Sequence, residues 1–264
     1  MGIMHMKQGF SLVELSIVLV ILGLLTGGIL AGQNLIRAAE LRSISKDFES
    51  YQTAIITFKD QYFALPGDIP NATSYWGNAD TGGIGGECGS PTTDTGSGTE
   101  TCNGNGDGNI NDNVIENYRV WQHLANAGLV EGSYTGIKAA GGNANYHIIA
   151  GQNAPRGSLS NSAWSTRYFT DFTNANWYDM PQDYGHIMQF GGDQANSWNE
   201  GDILTPEEVW NIDKKMDDGV PGTGLVIVFD WTNCTDSGSA TAYSGPYDLD
   251  NTATQCSIIF RRPY

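Results

Sequence analysis

Positive charge is scarce in this sequence. The 264 residues include 13 Lys and Arg against 29 Asp and Glu, so the formal net charge is −16 at pH 7. Proteins that bind nucleic acids neutralise phosphates with clustered Lys and Arg, and no basic cluster occurs along this chain. The sequence therefore predicts no nucleic-acid partner.

The sequence also lacks the patterns that usually accompany catalysis. The four histidines show no metal-ligand spacing, and neither a Gly-x-Ser-x-Gly elbow nor a phosphate-binding loop occurs. Asp213 and Asp217 stand one helical turn apart, which would suit a catalytic pair of carboxylates. Because Lys214, Lys215 and Asp218 surround them, we interpret this stretch as a solvated helix face. We therefore expect that the protein is not an enzyme.

One segment near the N-terminus is highly informative. It reads Met6-Lys7-Gln8-Gly9-Phe10-Ser11-Leu12-Val13-Glu14 and continues as an apolar run to Ala31. About 20 apolar residues in a helix span a hydrocarbon core of about 30 Å. A secretory signal peptide has a shorter apolar region that precedes its cleavage site, whereas Gly9 comes before the run. Glu14 stands inside the run, where a carboxylate is costly and usually functional.

This order of residues resembles the type III (prepilin) signal of type IV pilins and type II secretion pseudopilins. The resemblance implies that a prepilin peptidase cuts after Gly9 and methylates the new N-terminus at Phe10. It also implies that Glu14 takes part in methylation and pairs with the amino group of a neighbouring subunit. The signal does not distinguish a type IV pilus from a type II secretion filament.

The resemblance also implies a location and partners. The chain would be a single-pass protein of the bacterial inner membrane with its head in the periplasm, and part of a pilus or pseudopilus after assembly. Its partners would be the prepilin peptidase and other pilins or pseudopilins, which it would contact through the N-terminal helix. The large head would crowd a filament, so a minor pilin or pseudopilin is favoured over a major pilin.

Four cysteines are present, and an even count in an exported protein favours two disulfides. The local solution pairs Cys88 with Cys102 and Cys234 with Cys256, although other pairings are open. Each local pair closes a loop of roughly 15–20 residues, which contributes about 3 kcal/mol in the chain-entropy model. None of the four lies in a Cys-x-x-Cys pair, which argues against a metal site.

The predicted organisation has four parts. Residues 1–9 form the leader, residues 10–31 the transmembrane or filament-core helix, and residues 32–64 an amphipathic continuation. Residues 65–264 form a globular head with both disulfide loops. A stripe at alternating three- and four-residue spacing marks the buried face of the continuation: Leu41, Ile44, Phe48, Tyr51, Ile55, Phe58 and Tyr62.

Two further helices and five strands are predicted in the head. A helix over residues 116–127 ends at Gly128, and another begins at Thr205 with a capping box closed by Glu208. The strand candidates are residues 146–150, 167–170, 186–190, 224–231 and 257–261. The predicted fold class is α+β and pilin-like, with a long N-terminal helix packed on a mostly antiparallel sheet with long loops.

A loop beginning at Asn103 resembles the start of a calcium loop. Oxygen-bearing residues alternate and a glycine follows the third, as in D-x-[DN]-x-[DN]-G. Val114 occupies the twelfth position, where a bidentate Glu is expected. The candidate Ca2+ ligands are Asn103, Asn105, Asp107, Asn109 and Glu116. A loop with no ion is the alternative, and the acidic loop at Asp248 and Asp250 is a weaker second site.

Aromatic residues among the loops leave a second function open. They form small cores or a patch that binds sugars or surfaces: Tyr75, Trp76, Trp164, Trp177, Tyr178, Trp198 and Tyr243. A patch of this kind would suit a membrane-tethered periplasmic binding module that does not polymerise. The leading hypothesis is a structural subunit, a minor pilin or pseudopilin of a type IV pilus or type II secretion filament.

Overall fold

The computed structural model describes residues 11–79, 88, 94–110, 116–138, 147–169, 184–194, 198–228, 233–236, 245–261 and 263–264. Within these residues the helices are α1 (Leu12–Tyr62), α2 (Thr73–Trp76), α3 (Glu116–Asn126) and α4 (Pro206–Met216). The strands are β1 (Ser162–Phe169), β2 (Gly185–Gly192), β3 (Val226–Val228) and β4 (Ile258–Arg261). The chain divides into two units, Met1–Leu41 and Arg42–Tyr264.

The described part of the first unit is the beginning of α1. Its large apolar side chains are exposed from Leu12, at 86%, to Ile36, at 63%. A stretch of this helix is long and apolar enough to cross a membrane. The described residues of this unit do not bury these side chains among themselves.

In the second unit, the later turns of α1 pack into the core of the head. Ile44, Phe48, Ile55 and Phe58 are buried, and Tyr51 and Tyr62 of the predicted stripe are half-buried. The Phe48 ring stacks on Phe260 of β4 with centroids 4.2 Å apart. The three- and four-residue spacing in the sequence thus identified the face of α1 that meets the sheet.

The four strands form one antiparallel sheet in the order β1-β2-β4-β3. Strands β1 and β2 pair along their whole length, from Ser162 opposite Gly192 to Phe169 opposite Gly185. Strand β4 lies between β2 and β3, with Phe260 opposite Val226. This long helix and antiparallel sheet confirm the predicted α+β, pilin-like fold class.

Helices α3 and α4 begin at the predicted positions. The Thr205 hydroxyl accepts a hydrogen bond from the Glu208 N–H at 3.3 Å, and the Glu208 carboxylate accepts one from the Thr205 N–H at 3.0 Å. Helix α3 ends at Asn126, and Gly128, two residues later, has a φ of 72° that suits the left-handed conformation after a helix. Local capping chemistry decides these boundaries, so the sequence was sufficient to find them.

Two strand predictions need correction. Residues 147–149 are not a strand, because the Asn153 side chain closes a turn there: it accepts from the Ile149 N–H at 2.8 Å and donates to the His147 carbonyl at 2.9 Å. Strand β1 begins at Ser162 rather than at Arg167. Almost all of its residues are buried, so the alternation that marks a half-exposed strand is missing from its sequence.

Strand β3 is shorter at its start than predicted. It begins at Val226 rather than at Gly224. The Asp217 carboxylate accepts from the backbone N–H groups of Leu225 and Val226. The Leu225 carbonyl still accepts from the Arg261 N–H of β4 at 2.8 Å, so only the N–H groups at this end of the strand are bonded to a side chain. The other end of the prediction, residues 229–231, lies outside the described residues, as do Tyr146 and Thr170.

Candidate functional sites

The first turn of α1 is closed by two of its own side chains. The Ser11 N–H donates to Oε2 of Glu14 at 2.9 Å, and the Val13 N–H donates to Oγ of Ser11 at 3.2 Å. The Leu15 N–H donates to the Ser11 carbonyl at 3.1 Å, which starts the helical ladder. Ser11 is therefore the N-cap of α1, and Glu14 is its reciprocal partner.

This first turn leads directly into the exposed apolar part of α1. Glu14 is itself exposed, as are the apolar residues on all sides of it. Gly9 and Phe10, the predicted cleavage and methylation positions, lie outside the described residues.

Residues 4–30 match the family described as the prokaryotic N-terminal methylation motif. The chain carries the signal of type IV pilins and pseudopilins. No curated protein and no solved structure matches the chain. The pilin signal covers Gly9, Phe10, Ser11 and Glu14, whereas the head lies outside the matched residues. A pilin-like precursor anchored by one apolar N-terminal helix is consistent with these observations.

In the head, the candidate calcium loop wraps around a carboxylate that sequence reasoning missed. Oδ1 of Asp68 accepts from the N–H groups of Gly106 at 2.7 Å and Asp107 at 3.1 Å, and Oδ2 accepts from Gly108 at 2.9 Å. Gly106 and Gly108 have φ angles of 75° and 85°, which allow successive N–H groups to converge. Burial raises the pKa of Asp68, and the three backbone donors oppose that shift.

Several predicted ligands do lie together in this loop. The Asn105 N–H donates to Oε1 of Glu116 at 2.9 Å, and Nδ2 of Asn105 donates to Oδ2 of Asp107 at 3.1 Å. The Asn109 N–H donates to Oδ1 of Asp107 at 2.8 Å. Oδ1 of Asn103 instead accepts from the Thr73 N–H at 2.9 Å. Calcium binding by this loop stays a prediction, with Asp107 and Glu116 as its carboxylates.

Three carboxylates whose oxygens lie within 4.8 Å of one another are found elsewhere, at Asp213, Asp217 and Asp218. Asp213 is fully buried and accepts from the Tyr247 hydroxyl at 2.8 Å, so a solvated helix face was the wrong interpretation for it. Burial raises the pKa of Asp213 to about 6, against the effect of the Tyr247 hydrogen bond. Oxygens of Asp217 and Asp218 accept from backbone N–H groups of the following loop. The three carboxylates therefore secure the end of α4.

The second acidic loop is a turn. Asp250 is exposed and Asp248 is half-exposed. The Asp248 N–H donates to the Cys234 carbonyl at 3.1 Å, and the Asn251 N–H donates to the Asp248 carbonyl at 3.1 Å. These backbone hydrogen bonds account for the shape of the loop. Calcium binding by Asp248 and Asp250 stays an untested prediction.

Both local disulfides form. Cys88 bonds to Cys102 with Cα atoms 5.5 Å apart, and Cys234 bonds to Cys256 with Cα atoms 5.2 Å apart. Both separations lie within the usual range for disulfides. The pairing that the sequence offered as the local solution fits the structure.

A buried polar network around His123 was not anticipated. Nδ1 of His123 accepts from the Gly67 N–H at 2.9 Å, so Nε2 carries the proton and lies 2.9 Å from the Thr101 hydroxyl. Thr101 in turn donates to Oε1 of Gln122 at 2.6 Å. Complete burial, reinforced by the charge of Arg119, lowers the pKa of His123 to about 3. This neutral imidazole joins the turn after α1 to the first disulfide loop.

The aromatic residues separate into two groups. Trp164 and Trp198 are buried in the core, whereas Tyr75 is 54% exposed and packs edge-on against Tyr62 at 5.1 Å. Phe63, which directly follows α1, is 92% exposed. Trp177, Tyr178 and Tyr243 lie outside the described residues. An aromatic surface therefore exists at the end of α1, but it contains fewer of the predicted residues.

Proposed function

We propose that the protein is a structural subunit of a type IV pilus or type II secretion filament, as a minor pilin or pseudopilin rather than an enzyme. A prepilin peptidase cuts the precursor after Gly9 and methylates Phe10. The observation that carries this proposal is the continuity of the methylation motif at residues 4–30 with the exposed apolar turns of α1.

The exposed turns of α1 support membrane insertion before assembly. Side chains such as Leu12, Leu24 and Leu35 are more than 70% exposed, and burying each contributes about 1.5–3 kcal/mol. Lipid buries them in the inner membrane, with the head in the periplasm. The corresponding helices of other pilins or pseudopilins bury them in a filament. The long loops of the head support the role of a minor pilin or pseudopilin, because such a subunit packs against fewer copies of itself than a major pilin does.

The mature N-terminus tests this proposal directly. The full chain is expressed with an active prepilin peptidase and with a peptidase whose catalytic residues are substituted, and the N-terminal peptide is read by mass spectrometry. We expect N-methylated Phe10 only with the active enzyme. An uncut chain, or one cut beyond residue 31, would rule out pilin processing. A Gly9→Leu variant is the matched control and should remain uncut.

The aromatic surface at the end of α1 favours a second candidate function. Phe63, Tyr75 and Tyr62 present rings at the surface, which suits a membrane-tethered module that binds glycans or other surfaces without polymerising. Glu14→Ala separates the two functions. Deleting the gene should abolish the function that the cell owes to this protein. If the Glu14→Ala variant is cut normally and the cell retains that function, polymerisation is not the role of the protein.

A further inference from the structure

The two disulfides differ in how accessible their sulfur atoms are. Cys88 is half-buried, whereas its partner Cys102 is completely buried. In the second disulfide, Cys234 and Cys256 are both completely buried. A thiol that reduces a disulfide has to reach one of its two sulfur atoms. A reductant in solution therefore has access to the first disulfide through Cys88, and reaches the second only after the head opens.

A buried cation lies against the accessible sulfur atom. Nη2 of Arg119 donates a hydrogen bond to Sγ of Cys88 at 3.1 Å and another to the Asp94 carbonyl. Nη1 of Arg119 donates to Oε1 of Gln122 at 2.7 Å, and the residue is only 1% exposed. Burial lowers the pKa of Arg119 to about 10, and the charge of Asp94 opposes that shift. The guanidinium is therefore still positively charged at neutral pH, and its hydrogen bonds hold it beside the sulfur.

A cation in this position favours reduction of the disulfide. Reduction releases two cysteines, and the thiolate form of a cysteine is stabilised by a neighbouring positive charge. In the disulfide the Cys88 sulfur carries no net charge, whereas in the reduced protein Arg119 faces a thiolate. Because the guanidinium is out of water, the attraction between the two charges is weakly screened. The contact thus stabilises the reduced protein relative to the oxidised one, which makes the bond easier to reduce.

We propose that the first disulfide is a redox-sensitive switch that a dithiol reductant opens while the second stays closed, and that Arg119 sets its sensitivity. One thiolate of the dithiol attacks Sγ of Cys88, the disulfide breaks, and Cys102 leaves as a thiolate that takes up a proton. The second thiolate of the reductant then attacks the reductant's own sulfur in the mixed disulfide, and Cys88 leaves as a thiolate beside Arg119. The dithiol is oxidised to a disulfide, and two electrons pass to the protein. This inference goes beyond the proposed filament function and does not depend on it.

The switch acts on the surroundings of α3. Residues 99–102 end in a cysteine of the first disulfide and bond to the side chains of this helix. The Thr101 hydroxyl donates to Oε1 of Gln122 at 2.6 Å and lies 2.9 Å from Nε2 of His123. The Glu100 carbonyl accepts from Nε2 of Gln122 at 3.2 Å. Opening the disulfide removes a covalent tether from this segment, so its hold on α3 weakens.

The choice of substitutions separates the charge of Arg119 from its packing. Arg119→Gln removes the charge but keeps a polar side chain, and Arg119→Lys keeps a cation. Arg156→Gln is the matched control, because it removes an arginine that is exposed. The second disulfide is an internal control in every protein, since a substitution that merely loosens the head makes both bonds easier to open.

The experiment equilibrates each full-length protein, oxidised and in detergent, with mixtures of reduced and oxidised dithiothreitol. Free thiols are then alkylated, and mass spectrometry of the digested chain gives the reduced fraction of each disulfide. In the original chain, the first disulfide should be half-reduced at a ratio of reduced to oxidised dithiothreitol at least about tenfold below that for the second. At pH 8, Arg119→Gln should raise that ratio about tenfold for the first disulfide alone. Arg119→Lys and Arg156→Gln should stay within about threefold of the original chain.

The pH dependence distinguishes a charge effect from a packing effect. Only the thiolate gains from a positive charge, and the fraction of thiolate rises between pH 6 and pH 8. His123, on which the charge of Arg119 also acts, stays neutral over this range because its pKa is about 3. The charge of Asp94 is common to the proteins compared. The difference between Arg119→Gln and the original chain should therefore shrink from about tenfold at pH 8 to less than about threefold at pH 6.

Hydrogen exchange then tests whether the bond controls α3. With only the first disulfide open, the amide hydrogens of α3 should exchange at least about tenfold faster than in the oxidised chain. The switch is overturned if both disulfides open at the same ratio, or if α3 exchanges equally fast with the bond open or closed. The role of Arg119 is overturned if Arg119→Gln leaves the first disulfide unchanged, shifts both disulfides equally, matches Arg119→Lys, or has the same effect at pH 6 and pH 8.

Discussion

At the scale of single residues, the protonation of His123 is controlled by burial. The folded state keeps the imidazole neutral, with a pKa of about 3, whereas in the unfolded chain the pKa is about 6.5. Below pH 6.5 the unfolded chain therefore binds a proton that the folded chain does not. Stability due to this group is complete above pH 6.5 and is lost as the pH falls towards 3.

This linkage predicts a specific difference between two proteins. Between pH 6.5 and pH 4.5, the free energy of unfolding of the original chain should fall by about 2–3 kcal/mol more than that of His123→Gln, which has no titrating imidazole. Urea unfolding of both full-length proteins in detergent, followed by tryptophan fluorescence, measures it. Parallel pH profiles for the two proteins would show that His123 does not titrate in this way.

Substituting Asp107 is the sharpest test of calcium binding by the loop that begins at Asn103. If the loop binds with a dissociation constant of about 1 mM, then about 5 mM Ca2+ should stabilise the full chain by about 1 kcal/mol. Asp107→Asn should lose this response, and Asp250→Asn in the other acidic loop should keep it. Thermal unfolding after treatment with EDTA measures the shift. If Ca2+ stabilises the Asp107→Asn protein as much as the original chain, the ion binds elsewhere. If Ca2+ stabilises neither protein, the chain does not bind calcium.

At the scale of elements, the sequence predicted the features that depend on neighbouring residues, such as the buried face of a helix and its first turn. The apolar stripe found the buried face of α1, and Thr205 with Glu208 found the start of α4. Asp68 was missed because its three donors lie 38–40 residues further along the chain. His123 was missed because its donor, the Gly67 N–H, is 56 residues away. Such contacts depend on the folded chain path, which periodicity does not encode.

The second disulfide is predicted to stabilise the start of β4, an inner strand of the sheet. The Cys256 carbonyl accepts from the N–H groups of Ile203 and Leu204, and β4 begins two residues later. Replacing Cys234 and Cys256 together with serine should lower the free energy of unfolding by about 3 kcal/mol, since the bond closes a loop of 22 residues. Denaturant unfolding measures this loss. A reducing agent should then destabilise the variant less than the original chain, and an equal effect would contradict the assignment.

At the scale of the whole molecule, the division after Leu41 separates an exposed apolar segment from a head with its own core. Both disulfides, the sheet and the buried turns of α1 belong to Arg42–Tyr264. We expect a fragment of residues 42–264 to be a folded, soluble monomer, whereas the full chain requires detergent. Light scattering after size exclusion and circular dichroism check this, and an aggregated or unfolded fragment would contradict it.

The order of the cysteine pairs has a consequence for how the chain is made. The first cysteine in the sequence is bonded to the second and the third to the fourth, Cys88 to Cys102 and Cys234 to Cys256. If the N-terminal part of the head is exported first, the cysteines emerge in the order of the sequence. An oxidase that joins thiols in that order would form each native bond directly, without a mispaired intermediate. Maturation of this chain would then need no isomerase to reshuffle mispaired cysteines, even when export is slow.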